Sequence, residues 1–382
     1  MHSLLIFLTS YLVVFFSIPP IIKVAYQKRL FDAPTESRKI HKRIIPNFGG
    51  IAIFTAFLFS ASLLIPHGLL PKGNLLMCAG LVIFMTGLKD DIVGLSPAIK
   101  FAAQFFSAII VAVIADIRIE NLHGLIGYHE LHYYTSIGLT VFFMVGIMNA
   151  FNLIDGIDGL AGTLALICSL TFAFIFFKAQ EIGWFYMSLS LAGAVLGFLY
   201  FNITPAKIFM GDSGSLVIGF LASIFSVKFL SLNALHHIQI GEFTVQYGSG
   251  VVLAILIIPV FDTLRVFTLR ILKNKSPFTA DSNHLHHRLL FLGLSHIQAT
   301  FILALCNVMF IVLALSLQEL SVGQILTVIT MVALMANGLL SLYIERYKKL
   351  LFSPSSSSPA RFSSKPSVKN VAADVMEKMF KN

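Results

Sequence analysis

The chain predicts an all-α polytopic integral membrane protein, and three observations carry that prediction. Apolar runs recur almost from end to end, only 12% of residues are charged, and the charges gather in the breaks between runs. Hydrophobic residues make up 57% of the 382, with a mean hydropathy of +0.86. About 20 apolar residues in a helix cross the ~30 Å hydrocarbon layer of a bilayer. Backbone polar groups find no water there, so a span is a helix or part of a closed barrel. The runs lack the alternation of barrel strands, which leaves helices.

About eleven transmembrane helices are read, at 3–24, 48–68, 74–89, 99–117, 133–151, 159–178, 183–201, 213–230, 249–271, 297–317 and 321–344. The first has neither the basic start nor the small-residue cleavage site of a signal peptide, so it stays as a helix. Between the fourth and fifth, 117–132 reads as a small outside hairpin. The ninth is interrupted at Ile257-Ile258-Pro259. Proline removes a backbone donor and bends a helix, so the second half is expected to leave the bilayer obliquely. Asp262, just beyond, either pairs with Arg265 at i,i+3 spacing or joins a site.

All but Lys72, Arg118, Lys178 and Lys228 of the 27 Lys and Arg residues fall on one side of this topology. Cytoplasmic loops carry that excess, which puts the N-terminus outside and the C-terminus in the cytoplasm. Residues 1–350 then form one polytopic domain. Residues 351–382 form a cytoplasmic tail with a serine-rich linker and a short amphipathic helix near 368–380. The net charge of +9 is chiefly this bias, with some attraction for anionic lipid heads or substrates. No basic groove-reading motif points to nucleic acid. Cys78, Cys168 and Cys306 lie singly in apolar spans and read as packing residues. His123, His129 and His132 sit on the outer side and are not read as a metal site.

Four acidic patches close or open spans on the cytoplasmic side: Lys89-Asp90-Asp91, Asn152 to Gly159, Gly211-Asp212-Ser213-Gly214, and Asp281 to Arg288. Ionisable groups against a bilayer are costly, so four on one face suggest one site. Asp212 between two glycines at the start of the eighth span either caps that helix or meets a ligand. Asn152, Asp155 and Asp158 are spaced so that a helical turn would align them. Carboxylates this close repel unless a cation or protons intervene. Oxygen ligands of this kind suit Mg²⁺ or Mn²⁺ with substrate phosphates completing the shell. Lys100 follows Asp91 closely and reaches for a diphosphate oxygen. His284, His286, His287 and Arg288 favour sugar or phosphate contact over zinc or a purely structural loop. Lys39 and His41, in the basic loop before Gly49-Gly50, serve either the positive-inside bias or a collar for a lipid phosphate.

The ordered set Asp32-x-Pro34, Arg38-Lys39-x-His41, Gly49-Gly50, Asp90-Asp91, Asn152-x-x-Asp155-x-x-Asp158-Gly159, Gly211-Asp212-Ser213-Gly214 and His284-x-His286-His287 resembles the polyprenyl-phosphate N-acetylhexosamine-1-phosphate transferases. The likeness runs from about residue 28 to 296. It is nearest the bacterial branch that uses UDP-GlcNAc rather than the muramoyl-pentapeptide branch. The resemblance implies transfer of a sugar-1-phosphate from a UDP-N-acetylhexosamine to undecaprenyl phosphate at the cytoplasmic face of the inner membrane, with UMP released. It also implies a role for each motif residue. Asp212 would bind Mg²⁺ with Asn152, Asp90 and Asp91 would serve the attacking lipid phosphate, and Lys100 would touch the diphosphate. Asp155 and Asp158 would shape the nucleotide pocket, and His284, His286, His287 and Arg288 would face the sugar and diphosphate. A homodimer is expected by analogy alone. The competing expectation is an ion-coupled transporter, with carboxylates near mid-bilayer and repeated halves.

Overall fold

The computed structural model describes residues 1–28, 45–125, 127–235, 238–240, 243–276 and 283–351. Lys39, His41, Asp281 and the tail from 352 onward lie outside the described residues. The helices are α1 (His2–Lys28), α2 (Gly49–Leu64), α3 (Gly73–Val93), α4 (Pro97–Ile109), α5 (Tyr133–Ile154), α6 (Leu160–Lys178), α7 (Ile182–Asn202), α8 (Gly211–Leu235), α9 (Gly248–Ile255), α10 (Ile257–Leu272), α11 (Leu285–Phe291), α12 (His296–Ser316) and α13 (Val322–Leu351). A wider turn over Ile110–Ile114 extends α4.

Among the described residues, eight helices are long and apolar enough to cross a membrane, or nine if α9 and α10 form one span. This falls below the eleven read from sequence. At 16 residues α2 is short, and α3 carries Lys89, Asp90 and Asp91 in its last turns. The outside hairpin is present as β1 (Asn121–Leu125) against β2 (Tyr128–Glu130). A second hairpin, β3 (Ile238–Ile240) against β4 (Phe243–Val245), follows α8. It was not apparent in the sequence.

The core gathers around α8. Its neighbours α3 and α5 come close because small residues line the contacts, the usual device where lipid and side chain are equally apolar. A Cβ on Gly87 of α3 would lie 2.6 Å from the Asp212 carbonyl oxygen, and one on Gly219 of α8 the same distance from Met148 Cα. Serines occur within the bundle because their hydroxyls bond back to their own helix, as Ser226 does to the Ala222 carbonyl at 2.7 Å. Phe172, Phe176, Phe225 and Phe229 fill the space between α6 and α8.

The ninth span breaks by 75°, as expected, but at Leu256 and not at the proline. Pro259 sits in the first turn of α10. There a backbone N–H would have no partner within the helix, so the ring costs nothing. The break turns α10 across the end of the bundle where the acidic motifs converge.

Candidate active site

The C-terminal ends of α3, α5 and α7 meet the N-terminal ends of α4, α6, α8 and α12 at one end of the bundle. Asp91, in the last turn of α3, accepts from the backbone N–H of Asp212 at 2.7 Å and of Ser213 at 3.0 Å. It therefore caps α8 from another helix, supplying acceptors to N–H groups that have none of their own. Gly211, with φ of +73°, makes the turn, and a side chain there would collide with Asp91 and the Asn47 carbonyl. Gly49 and Gly50 donate to the carbonyls of Phe209 and Met210 at 2.9 and 2.8 Å. The glycine pair of the basic loop thus braces the strand-like approach to α8.

With its backbone fixed, Asp212 presents its carboxylate to Lys100. The Nζ lies 2.7 Å from Asp212 Oδ2 and 2.6 Å from Asp90 Oδ2. The other Asp90 oxygen accepts from Leu95 N at 2.6 Å. Lys100 is reached because Ser96-Pro97 restarts the chain as α4 directly after α3. Asn152, in the last turn of α5, donates to Ser215 Oγ at 3.0 Å, one turn into α8. Asn149, one turn earlier, donates to Gln104 on α4 at 2.7 Å.

The expected alignment of Asn152, Asp155 and Asp158 on one helical face does not occur. The helix ends at Ile154, and Gly156 and left-handed Gly159 carry the chain around a turn. Asp155 remains beside the first cluster with no hydrogen bond or ion pair among the described residues. Burial, then the charges of Asp212, Asp91 and Asp158, push its carboxyl up to about 7. Asp158 turns away into the protein. One oxygen accepts from Ala206 N at 3.2 Å, and the other lies 3.3 Å from His296 Nδ1 at the start of α12. Asn202 completes this anchor, accepting from Gly159 N and donating to the Ile208 carbonyl, each at 2.9 Å. Asp158 thus anchors the turn, and it lies at the edge of a cavity that Gly159, Thr163, Ile203 and Thr300 also line.

The histidine motif packs against the other side of the same turn. A Cβ on Gly156 would overlap the His286 ring, so only glycine admits this histidine. His286 is 1% exposed, and neither ring nitrogen has a hydrogen-bond partner among the described residues. Burial, reinforced by the neighbouring His287, holds its pKa well below the ordinary histidine value, so the ring is neutral. Its ring lies parallel to His284 at 5.6 Å and 4.3 Å from His287. Arg288 does not face this cluster. Its guanidinium donates to Asn337 and Ser341 of α13, and burial followed by the charge of Arg265 lowers its pKa to about 10.

The site missed three contributors in the sequence reading: Asn202, His296 and Ser215. The first two are polar residues that close or open an apolar run, the same signal that marked Asp90 and Asp212. Among the described residues no three His, Cys, Asp or Glu side chains form a ready-made metal cage.

A bundle of membrane-length helices with its carboxylates, lysine and histidines drawn together at one end is the build of a polytopic membrane enzyme. The family model described as glycosyl transferase family 4 matches residues 74–230, which span α3 through α8. The chain is 33% identical over 328 residues to a probable undecaprenyl-phosphate N-acetylglucosaminyl 1-phosphate transferase of Bacillus subtilis, covering 85% of this chain and 87% of that protein. It is 33% identical over 322 residues to a decaprenyl-phosphate N-acetylglucosaminephosphotransferase of Mycobacterium tuberculosis, covering 79% of each. An undecaprenyl-phosphate alpha-N-acetylglucosaminyl 1-phosphate transferase of Escherichia coli O157:H7 is 30% identical over 312 residues, 78% of each chain. The chain belongs to glycosyl transferase family 4. The names of these relatives give no support to the transporter alternative.

Proposed function

We propose that the protein transfers an N-acetylhexosamine-1-phosphate, with GlcNAc-1-phosphate as the first choice, from its UDP-sugar to undecaprenyl phosphate. The relatives' names supply the sugar and the lipid class. The observation that carries the reading is the placement of Asp212. Asp91 holds its backbone, while Lys100 joins its carboxylate to that of Asp90. Such an arrangement suits phosphoryl transfer, where the protein's work is positioning and charge neutralisation.

Asp90, Asp91, Asp155 and Asp212 are four carboxylates near one ammonium, and burial first, then the neighbouring carboxylates, raises the pKa of Asp155. A hard divalent cation fits this donor set. Mg²⁺ typically takes one or two carboxylates and leaves the remaining positions to water and substrate phosphates, so a complete protein cage is not needed. Asp212 and Asn152 would hold it, and when bound it would offset charge on the diphosphate. Lys100, released from one of its two carboxylates, would take a diphosphate oxygen. A lipid-phosphate oxygen then forms the new bond to the β-phosphorus, and the bond to the bridging oxygen breaks with its electron pair leaving on UMP. The lipid phosphate is largely ionised near neutral pH, since phosphate second pKa values are about 6, and so needs no general base.

The polyprenyl chain would lie along α10, whose outward face carries Leu264, Leu269, Ile271 and Leu272. The basic loops favour a cytoplasmic position for this end of the bundle, where UDP-sugars are made. The test is UMP release by detergent-solubilised protein given undecaprenyl phosphate, Mg²⁺ and a panel of UDP-sugars. Lipid- and Mg²⁺-dependent release, absent from Asp212→Ala, supports the reading. No release with any sugar overturns it.

A further inference from the structure

Asp262 is a charged side chain buried to 1% exposure on α10, a helix that contributes no other acid to the site. Apart from Arg265 on its own helix, its hydrogen-bond partners lie at the start of α11. Its Oδ2 lies 2.9 Å from His284 Nδ1, and its Oδ1 accepts from Leu285 N and from the Arg265 guanidinium, each at 2.9 Å. Arg265 also donates to the Asn283 carbonyl, the residue just before His284. The segment that begins the histidine motif is therefore clamped at its backbone, at its first side chain and at the preceding carbonyl. Removing one member of a buried charged network strands the others, so this cluster is costly to keep without a purpose.

The clamp has a chemical consequence for His284. A carboxylate only accepts, so the imidazole carries a proton on Nδ1, and Nε2 is turned to the far edge of the ring. The plane of that ring is also fixed, and His286 stacks parallel to it at 5.6 Å. His286, in turn, fills the space beside Gly156 in the turn that carries Asp155. Its two ring nitrogens are buried polar atoms without a hydrogen-bond partner among the described residues.

We propose that Asp262 is a positioning residue for the donor substrate, acting through His284. It holds the Nδ1 proton and the plane of His284, and with them the His284–His286 stack, so that the pair presents ring nitrogens to hydroxyl and amide groups of the UDP-bound sugar. The carboxylate itself touches no substrate. This rests on the transferase reading for its donor, but not on turnover for its test.

The experiment measures equilibrium binding of UDP-GlcNAc to the solubilised full-length chain, alongside UMP release and melting temperature. Asp262→Asn keeps an acceptor for Leu285 N but offers an amide to His284, which reverses the tautomer. It should weaken UDP-GlcNAc binding about tenfold and raise the KM for UDP-GlcNAc alone, with the KM for undecaprenyl phosphate unchanged, and it should lower the melting temperature because Arg265 loses its buried counter-charge. His284→Ala should lose as much, and the double variant no more than either, because the two act as a unit. Independent, additive losses overturn the proposal, as does an equal rise in the KM for the lipid. Should Asp262→Asn not fold, His284→Asn decides, since its amide keeps the donor to Asp262 but lacks Nε2. Lost binding with an unchanged melting temperature supports the proposal, and retained binding overturns it. Wild-type protein that binds UDP-GlcNAc but releases no UMP would sink the reaction, while the binding ratios would still judge Asp262.

Discussion

Asp91 holds Asp212 by the backbone: its two oxygens accept the N–H groups of Asp212 and Ser213 at 2.7 and 3.0 Å. Two acids that look alike in sequence therefore have different work. Asp91→Asn retains one acceptor and turns a donor toward the other N–H. A buried N–H left without an acceptor costs about 1–3 kcal/mol. The variant should melt earlier in detergent and lose at least tenfold in kcat, with the KM for undecaprenyl phosphate unchanged. A selective rise in that KM would return Asp91 to the lipid phosphate.

Asp212→Asn should leave the fold intact, because Asp91 grips the backbone and not the side chain. UMP release should fall by about a hundredfold or more, on the scale of losing one preorganised electrostatic contact to a transition state. Lys100→Met should also be severely impaired, and its melting temperature should drop because Asp90 and Asp212 are left facing each other. Kinetics and thermal melts on the same preparations check both.

The pH behaviour of Asp155 has a definite sign. Its carboxyl is held at about 7 in the folded chain against 3.8 in the unfolded one, so the native state binds more protons between those values. The contribution of this group to stability is whole below about pH 3.8 and is lost as pH rises through about 7. With chelator present, Asp155→Asn should therefore raise the melting temperature at pH 8 more than at pH 5. Added Mg²⁺ should stabilise the wild type more at pH 8 than at pH 5. Equal effects at both pH values would remove the charge-excess argument.

Gly156→Ala puts a methyl group into the His286 ring. The prediction is a raised KM for UDP-GlcNAc, with the KM for undecaprenyl phosphate unchanged, read by steady-state kinetics at varied donor and acceptor.

Arg288 is tied to α13 through Asn337 and Ser341. If that tie is its main contribution, Arg288→Ala and the double variant Asn337→Ala with Ser341→Ala should lower the melting temperature alike. Melts of the three proteins in one detergent test the equivalence.

The helices and the acidic cluster were legible in the sequence because hydropathy and local charge report on the immediate environment of each residue. Asp90, Lys100, Asn152, Asp155 and Asp212 do come together. What sequence spacing could not show was which way a side chain turns after its helix ends. Asp155 and Asp158 are three residues apart, yet glycines at 156 and 159 send one toward Asp212 and the other toward His296. Likewise Asp91 and Ser213 are separated by four whole helices, α4 to α7, and nothing local marks them as partners. Asp262 was read as either an ion pair or a site residue. The structure shows the ion pair, and His284 shares the same carboxylate with Arg265. The Leu256 break differs from the proline reading for a backbone reason: a proline is harmless in a first helical turn.

The glycine contacts that press α3 and the Gly49-Gly50 segment onto the start of α8 leave no side chain between backbones to adjust. Substitutions there are punished whatever the sugar. The histidine segment is instead fastened from α10 by a few polar side chains, with α13 behind it. Under the proposed roles, changes around α11 would alter the sugar accepted, while the foot of α8 would tolerate few substitutions. Sequence drift in this protein should be strongly uneven, slow at the foot of α8 and faster a few ångströms away.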